Sequence, residues 1–182
     1  LTTNTGGSLV INGGLIKTTG AQTINKAITL GADTTLRGVN VALMSSVDGA
    51  HALTIYDSGT TVLGGNIGSS TPLMSLTTDS LTTAAGETHF KGASIHTSTD
   101  AVFNDIVKIF TDVRVTAAGQ MTFAKTIDGD TAGTRSLTLD GGNIAWINVD
   151  GAVGASNPLK TLEVVNSEFT TFTGPVTTNT SI

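Results

Sequence analysis

Six of the 14 acidic side chains in this 182-residue sequence fall into three pairs, each holding one place in two copies of a shared text. Carboxylates are where hydrolytic or metal chemistry would begin. Two acids facing one bond cleave glycosides, and a run of oxygen ligands holds calcium. Asp48 recurs as Asp128, followed by Gly49 and Gly129; Asp33 recurs as Asp112; Asp57 in LTIYD recurs as Asp140 in LTLD. A residue that returns at one place in every copy serves the repeat itself, and Asp-Gly is the text of a tight corner. These acids read as turn residues. They are spread over many corners, and sugar-stacking aromatics are few, with one Trp, one Tyr and six Phe.

The histidines point the same way. His51, His89 and His96 share no slot, and His96 stands where the first copy has Lys17, which predicts an exposed position tolerant of polar residues. A His89–His96 metal pair lacks a third ligand at the right spacing. DGDTAG, Asp128 to Gly133, lacks the ligand run and closing Glu of an EF-hand loop, and it is not the nonapeptide of calcium-binding β-rolls. It reads as a lengthened loop, and the segment 128–136 is the place expected to distinguish the second copy from the first. Trp146, in NIAWINV, has alternating neighbours and reads as core or sheet surface. The Thr-x-Thr pairs, such as Thr3 with Thr5 and Thr97 with Thr99, are too irregular for an ice-ordering rank. The Ser, Thr and His residues form no nucleophile constellation, and Cys is absent, so there is no thiolate chemistry and no disulfide framework. The expectation is a protein that is not an enzyme, with no catalytic, metal-binding or cofactor-binding residues.

What, then, do these corners join? The sequence holds 34 Thr and 22 Gly, and charged residues make up only 13%. Branching at Cβ favours extended backbone, and Gly, Asn and Asp supply turns. The composition predicts an all-β chain. A net charge of −5 without a basic patch argues against nucleic acid, and no apolar run approaches the ~18 residues that would insert in a membrane. The chain starts at Leu1 and reads as an excerpt of something longer.

The copies extend beyond the acids. GGSLVINGG, Gly6 to Gly14, aligns with GETHFKGA, Gly86 to Ala93, and NIGSSTPLMSL, Asn66 to Leu76, returns as AVGASNPLKTL, Ala152 to Leu162. The units run about 6–85 and 86–166, with a partial third over 167–182 that begins near SEFTTFTGPV. Inside each unit, apolar residues alternate in short clusters, such as Leu9 and Ile11, Val39, Val41 and Leu43, or Met121 and Phe123. Period two marks half-buried strands. A finer recurrence, from TTLRG at Thr34 to LTIYDSG at Leu53 to LMSLTTD at Leu73, is ~20 residues long, the length of one coil of a β-solenoid. That predicts one β-solenoid segment over 1–182, with about nine coils, roughly 40 Å of rod, and four coils to each unit. A pair of β-sandwiches also fits regular turns, but the copies merge without a linker. TDAVFNDIVKIF, Thr99 to Phe110, has helical spacing, yet its partner GAQTINKAITLG has none, so the segment is expected to be strand. Leu53, Ile55, Leu76, Leu137, Leu139 and Leu162 are the expected interior column.

GADTTLRG, VDGAHALTI, TTVLGGNIG and SLTLDGG resemble the β-strand repeats of giant bacterial surface proteins, similar to filamentous haemagglutinin-type adhesins and autotransporter passenger domains. The resemblance implies a right-handed parallel β-helix and an extracellular or cell-surface location. It also implies the shaft of an adhesin-like protein that meets a host-cell, neighbouring-cell or matrix surface, protein or glycan. That family's Asn-Pro-Asn-Leu secretion motif is missing; Asn157, Pro158 and Leu159 come nearest and read as a turn. Two alternatives stand beside the shaft: a fibre or sheath subunit that stacks axially through open coil ends, and a carbohydrate-processing β-helix enzyme.

Overall fold

A computed structural model describes residues 1–80 and 86–180; the junction between the first two units, 81–85, and the last two residues lie outside the described residues. Among the described residues every regular element is a strand, and every strand pairing is parallel. The chain visits three faces in a fixed order. Face I starts with Ser8–Ile11, face II with Leu15–Lys17 and face III with Gln22–Ile24, after which Ala27–Leu30 returns to face I. Face II is the most continuous: Leu15–Lys17, Thr34–Gly38, Leu53–Asp57, Leu76–Ser80, Ala101–Phe103, Gln120–Phe123, Trp146–Val149 and Phe169–Phe172. The chain is a parallel β-solenoid of eight coils.

Nine coils were expected because the ~20-residue step was extended along the whole chain. In-register residues are 19 apart from Thr34 to Leu53, but 23 from Leu53 to Leu76 and 26 from Gln120 to Trp146. Long corners consume the difference. The third member of the recurrence is accordingly Leu76, three residues beyond Leu73.

The unit also fails to close on whole coils. From Leu15–Lys17 on face II, eleven strand positions lead to its counterpart Ser94–Thr97, which lies on face I. One of those positions is held by the single residue Ile67, bridged to Val47 before it and Ile95 after it. Leu53–Asp57 on face II likewise maps to Ser136–Asp140 on face I, and Gln22–Ile24 on face III to Ala101–Phe103 on face II. With three faces per coil, eleven positions are three and two-thirds coils rather than four. Each copy is laid down one face behind its predecessor. The unit's opening strand therefore appears as Ser8–Ile11 on face I, Glu87–Phe90 on face III and Phe169–Phe172 on face II.

The interior follows from alternation. On face II the inward column runs Leu36, Ile55, Thr78, Phe103, Phe123 and Val149, one residue over its equivalent in the next coil. The six expected interior leucines and isoleucine are all buried. Phe103 stacks on Phe123 and meets Phe90 edge-on, each pair with centroids 4.9 Å apart. Thr99–Phe110 is strand, as expected: Ala101–Phe103 and Ile106–Ile109 flank a corner, with Phe103, Val107 and Ile109 facing inward. Val39 breaks the expected alternation with Val41 and Leu43. It is exposed, because the corner at Asn40 (φ 59°) lies between it and the strand that follows.

Candidate functional site

The paired acids accept backbone N–H groups at the corners. Asp48 Oδ1 accepts from the amides of Ser70 and Thr71 at 2.7 and 3.1 Å, and Asp128 Oδ1 from those of Ser156 and Asn157 at 2.9 and 3.1 Å. Between those anchors the two texts fold alike. Gly68 and Gly154 have φ of 67° and 69°, and their amides donate to Val47 and Ile127 at 2.7 Å. A Cβ on either would meet the carbonyl oxygen of the next coil, His96 O at 2.1 Å or Thr177 O at 2.3 Å. Glycine is required there. Asp33 and Asp112 each take one amide, from Ala52 and Ser136. Asp57 is the most engaged: its buried carboxylate accepts from the amides of Asn40, Val41 and Gly59 and from the Thr61 hydroxyl. Its counterpart Asp140 takes the Gly142 amide and the Arg114 guanidinium. The Gly142 bond, then Arg114 and Asn166, hold the Asp140 carboxyl below its ordinary range.

The histidines are scattered, each half-buried. His51 Nδ1 lies 3.4 Å from Asp33, while His96 and Asp140 border one groove. His89 Nε2 sits 2.8 Å from Glu87 Oε2, whose other oxygen takes Lys108 Nζ at 3.3 Å. The His89 hydrogen bond, with Lys108, keeps the Glu87 carboxyl below its ordinary range. Among the described residues no three His, Cys, Asp or Glu come together as a metal-holding group. The 128–136 loop is tied inward: Arg135 forks onto both oxygens of Asp130, at 2.6 and 3.1 Å, and the Gly133 amide donates to Pro158 O. Arg135 lowers the Asp130 carboxyl and is itself raised.

One other place on the surface departs from the repeat. On face II the outward rank Gln120, Trp146 and Phe169 lies in register across three successive strands, with Asn148 one step along from Trp146. Trp146 is 56% exposed and Phe169 59%. Their rings meet edge-to-face at 6.4 Å, and Trp146 Nε1–H donates to Glu168 Oε2 at 3.2 Å. Gln120, Trp146, Asn148, Glu168 and Phe169 line a groove of about 580 Å³. A second groove of about 360 Å³, with Gly119 and the 72% exposed Ile144, lies against Trp146 and Gln120.

In the unit alignment Trp146 stands where the first copy has Thr60, and Phe169 where the second has Glu87; Thr60 and Glu87 are themselves cross-strand partners on face III. Asp57 lies three residues before Thr60, whereas Asp140 lies six before Trp146. Those three extra residues bring in Gly142, at φ 61°, and Ile144. This is the insertion, beyond the expected one at 128–136, that changes the surface. Alternation alone allows Trp146 a place in the core or on the sheet surface; the signal that resolves it is the second jump in repeat offset. Comparison of the chain with protein-family models, with curated proteins and with solved structures finds no match.

Proposed function

We propose that this chain is a structural and interaction segment, the shaft of a secreted or cell-surface adhesin-like repeat protein. The observation that supports this reading is the consumption of the acids by architecture. All six repeated carboxylates accept corner amides. Stacked coils also leave no lateral strand edge, since backbone groups pair up and down the rod, so stiffness follows from the fold. Such a rod acts by geometry. It sets a distance between whatever flanks it and offers a lateral surface along its length.

Shape in solution tests the reading. Small-angle scattering and negative-stain imaging over a range of concentrations should give separate short rods, roughly 35–40 Å along the axis for eight strands spaced ~4.8 Å apart. Filaments of fixed width would assign the chain to a self-stacking fibre instead. Release of shortened sugars from a polysaccharide panel would assign it to an enzyme.

A further inference from the structure

The face II rank is the one described surface where the repeat's polar text is replaced by a pair of large aromatics beside amide and carboxylate groups. We propose that Trp146 and Phe169 form a binding track for an uncharged glycan, lying along the rod axis. A pyranose has an apolar C–H face and hydroxyls around its rim, so it fits a site with an exposed ring beneath and hydrogen-bonding groups at the edge. The described side chains supply both. Trp146 and Phe169 present more than half of their surface, while Gln120, Asn148 and Glu168 line the same groove. The indole is held by its own N–H, donated to Glu168, so its orientation is set before a ligand arrives. Grooves of about 580 and 360 Å³ against one indole are within the range of small-molecule sites.

Charge and size select among occupants. The one ionisable side chain lining the larger groove is the Glu168 carboxylate, and the chain carries −5 overall, so an acidic polysaccharide is repelled. A protein interface would need roughly 800 Å² on this side around an apolar centre. Here the apolar centre is three side chains, Trp146, Phe169 and Ile144, flanked by Gln120, Asn148 and Glu168. The rank runs across strands, one position per coil, so a linear glycan that twists between sugars, as the 61° between the rings requires, can cover Phe169 and Trp146 in succession. Affinity should therefore rise from monosaccharide to short oligosaccharide.

This inference rests on the shaft reading only for the direction of the track. Trp146 is the sole Trp, so its fluorescence reports the site directly. The full chain would be titrated with uncharged oligosaccharides of glucose, xylose, mannose, galactose and N-acetylglucosamine, with heparin and alginate as acidic comparators. At least one uncharged series should shift and quench the emission saturably. Phe169→Ala should weaken that binding about tenfold or more, Trp146→Ala should do the same by calorimetry, and Thr60→Ala on face III should leave it unchanged. Both aromatics are exposed, so both variants should melt within ~2 °C of the parent. The inference is overturned if no uncharged series binds, if only the acidic comparators bind, or if Phe169→Ala binds as well as the parent. Rods that bind no sugar would refute the track alone, whereas globules that bind sugar would refute the shaft alone.

Discussion

Replacing Asp57 by Ala isolates what a corner carboxylate contributes. Four donors converge on this side chain: the amides of Asn40 at 2.8 Å, Val41 at 2.6 Å and Gly59 at 2.7 Å, and the Thr61 hydroxyl at 3.2 Å. Removing it leaves them with unequal prospects. Asn40 is exposed and Gly59 half-buried, so water can reach their amides. Val41 and Thr61 are fully buried and have no such substitute. A buried donor left unpaired costs ~1–3 kcal/mol, and hydrogen bonds to charged groups are the stronger kind. Two buried donors plus weakened outer bonds come to about 3–5 kcal/mol. At ~2–4 °C per kcal/mol for a chain of this length, the melting midpoint should fall by roughly 6–20 °C. Asp33→Ala is the matched control, because its largely exposed carboxylate accepts one backbone amide, from Ala52 at 3.0 Å, and lies 3.4 Å from His51; it should cost less than about 1 kcal/mol. Thermal melts followed by far-ultraviolet circular dichroism compare the two. Equal shifts would refute the claim that burial of the donors, rather than the Asp-corner text, sets the energy.

Three further outcomes are expected. Leu139→Asp places an unpaired charge in the interior column and should unfold the chain, at a cost of several kcal/mol; an unchanged melting midpoint would refute the core assignment. Gly154→Ala, with its positive φ and its Cβ position against Thr177 O, should lose about 2 kcal/mol or more, while Gly20→Ala, with open space around it, stays within ~0.5 kcal/mol. Urea melts that rank these two glycines the other way would show the corner geometry to be wrong. The carboxyls of Glu87, Asp130 and Asp140 are all lowered in the folded state. Their contribution is complete above the ordinary values of 4.5 and 3.8 and is lost as pH falls through the lowered ones. The melting midpoint should thus be flat above about pH 5 and drop below about pH 4, and Asp140→Asn should make that drop shallower.

Strand class, interior column and corner acids were legible because each leaves a local trace. Alternation marks Leu137 and Leu139, and recurrence beside glycine marks Asp48 and Asp128. Coil number was not, because corners of different length, such as the two lengthened ones between Gln120 and Trp146, carry no periodic signal of their own. The buried polar residues were equally hidden. Gln22 lies inside the first coil, where its side-chain amide donates to the carbonyls of Ile16 and Arg37, and no sequence pattern separates that from a solvent-facing Gln. Trp146 was ambiguous for a related reason. Alternation assigns a residue to one face of a strand only once the corner before it is known, and the three inserted residues before Trp146 remove that reference.

The eleven-position unit has a consequence for display. Side chains that recur in every copy are carried around the rod, so the Asp48 cap on face I returns as the Asp128 cap on face III. Had the unit been four whole coils, each recurring group would lie directly above its predecessor, in a stripe along one face. With the offset of one face per copy, shared residues cannot build such a stripe, and a ligand running along the axis meets equivalents on different sides. An axial site must instead be assembled from neighbouring strands of one face that belong to different parts of the unit. Gln120 and Trp146 come from the second copy and Phe169 opens the third, yet the three lie side by side on face II. A surface track on this rod is therefore made where the copies differ, and the text they share builds the shaft beneath it.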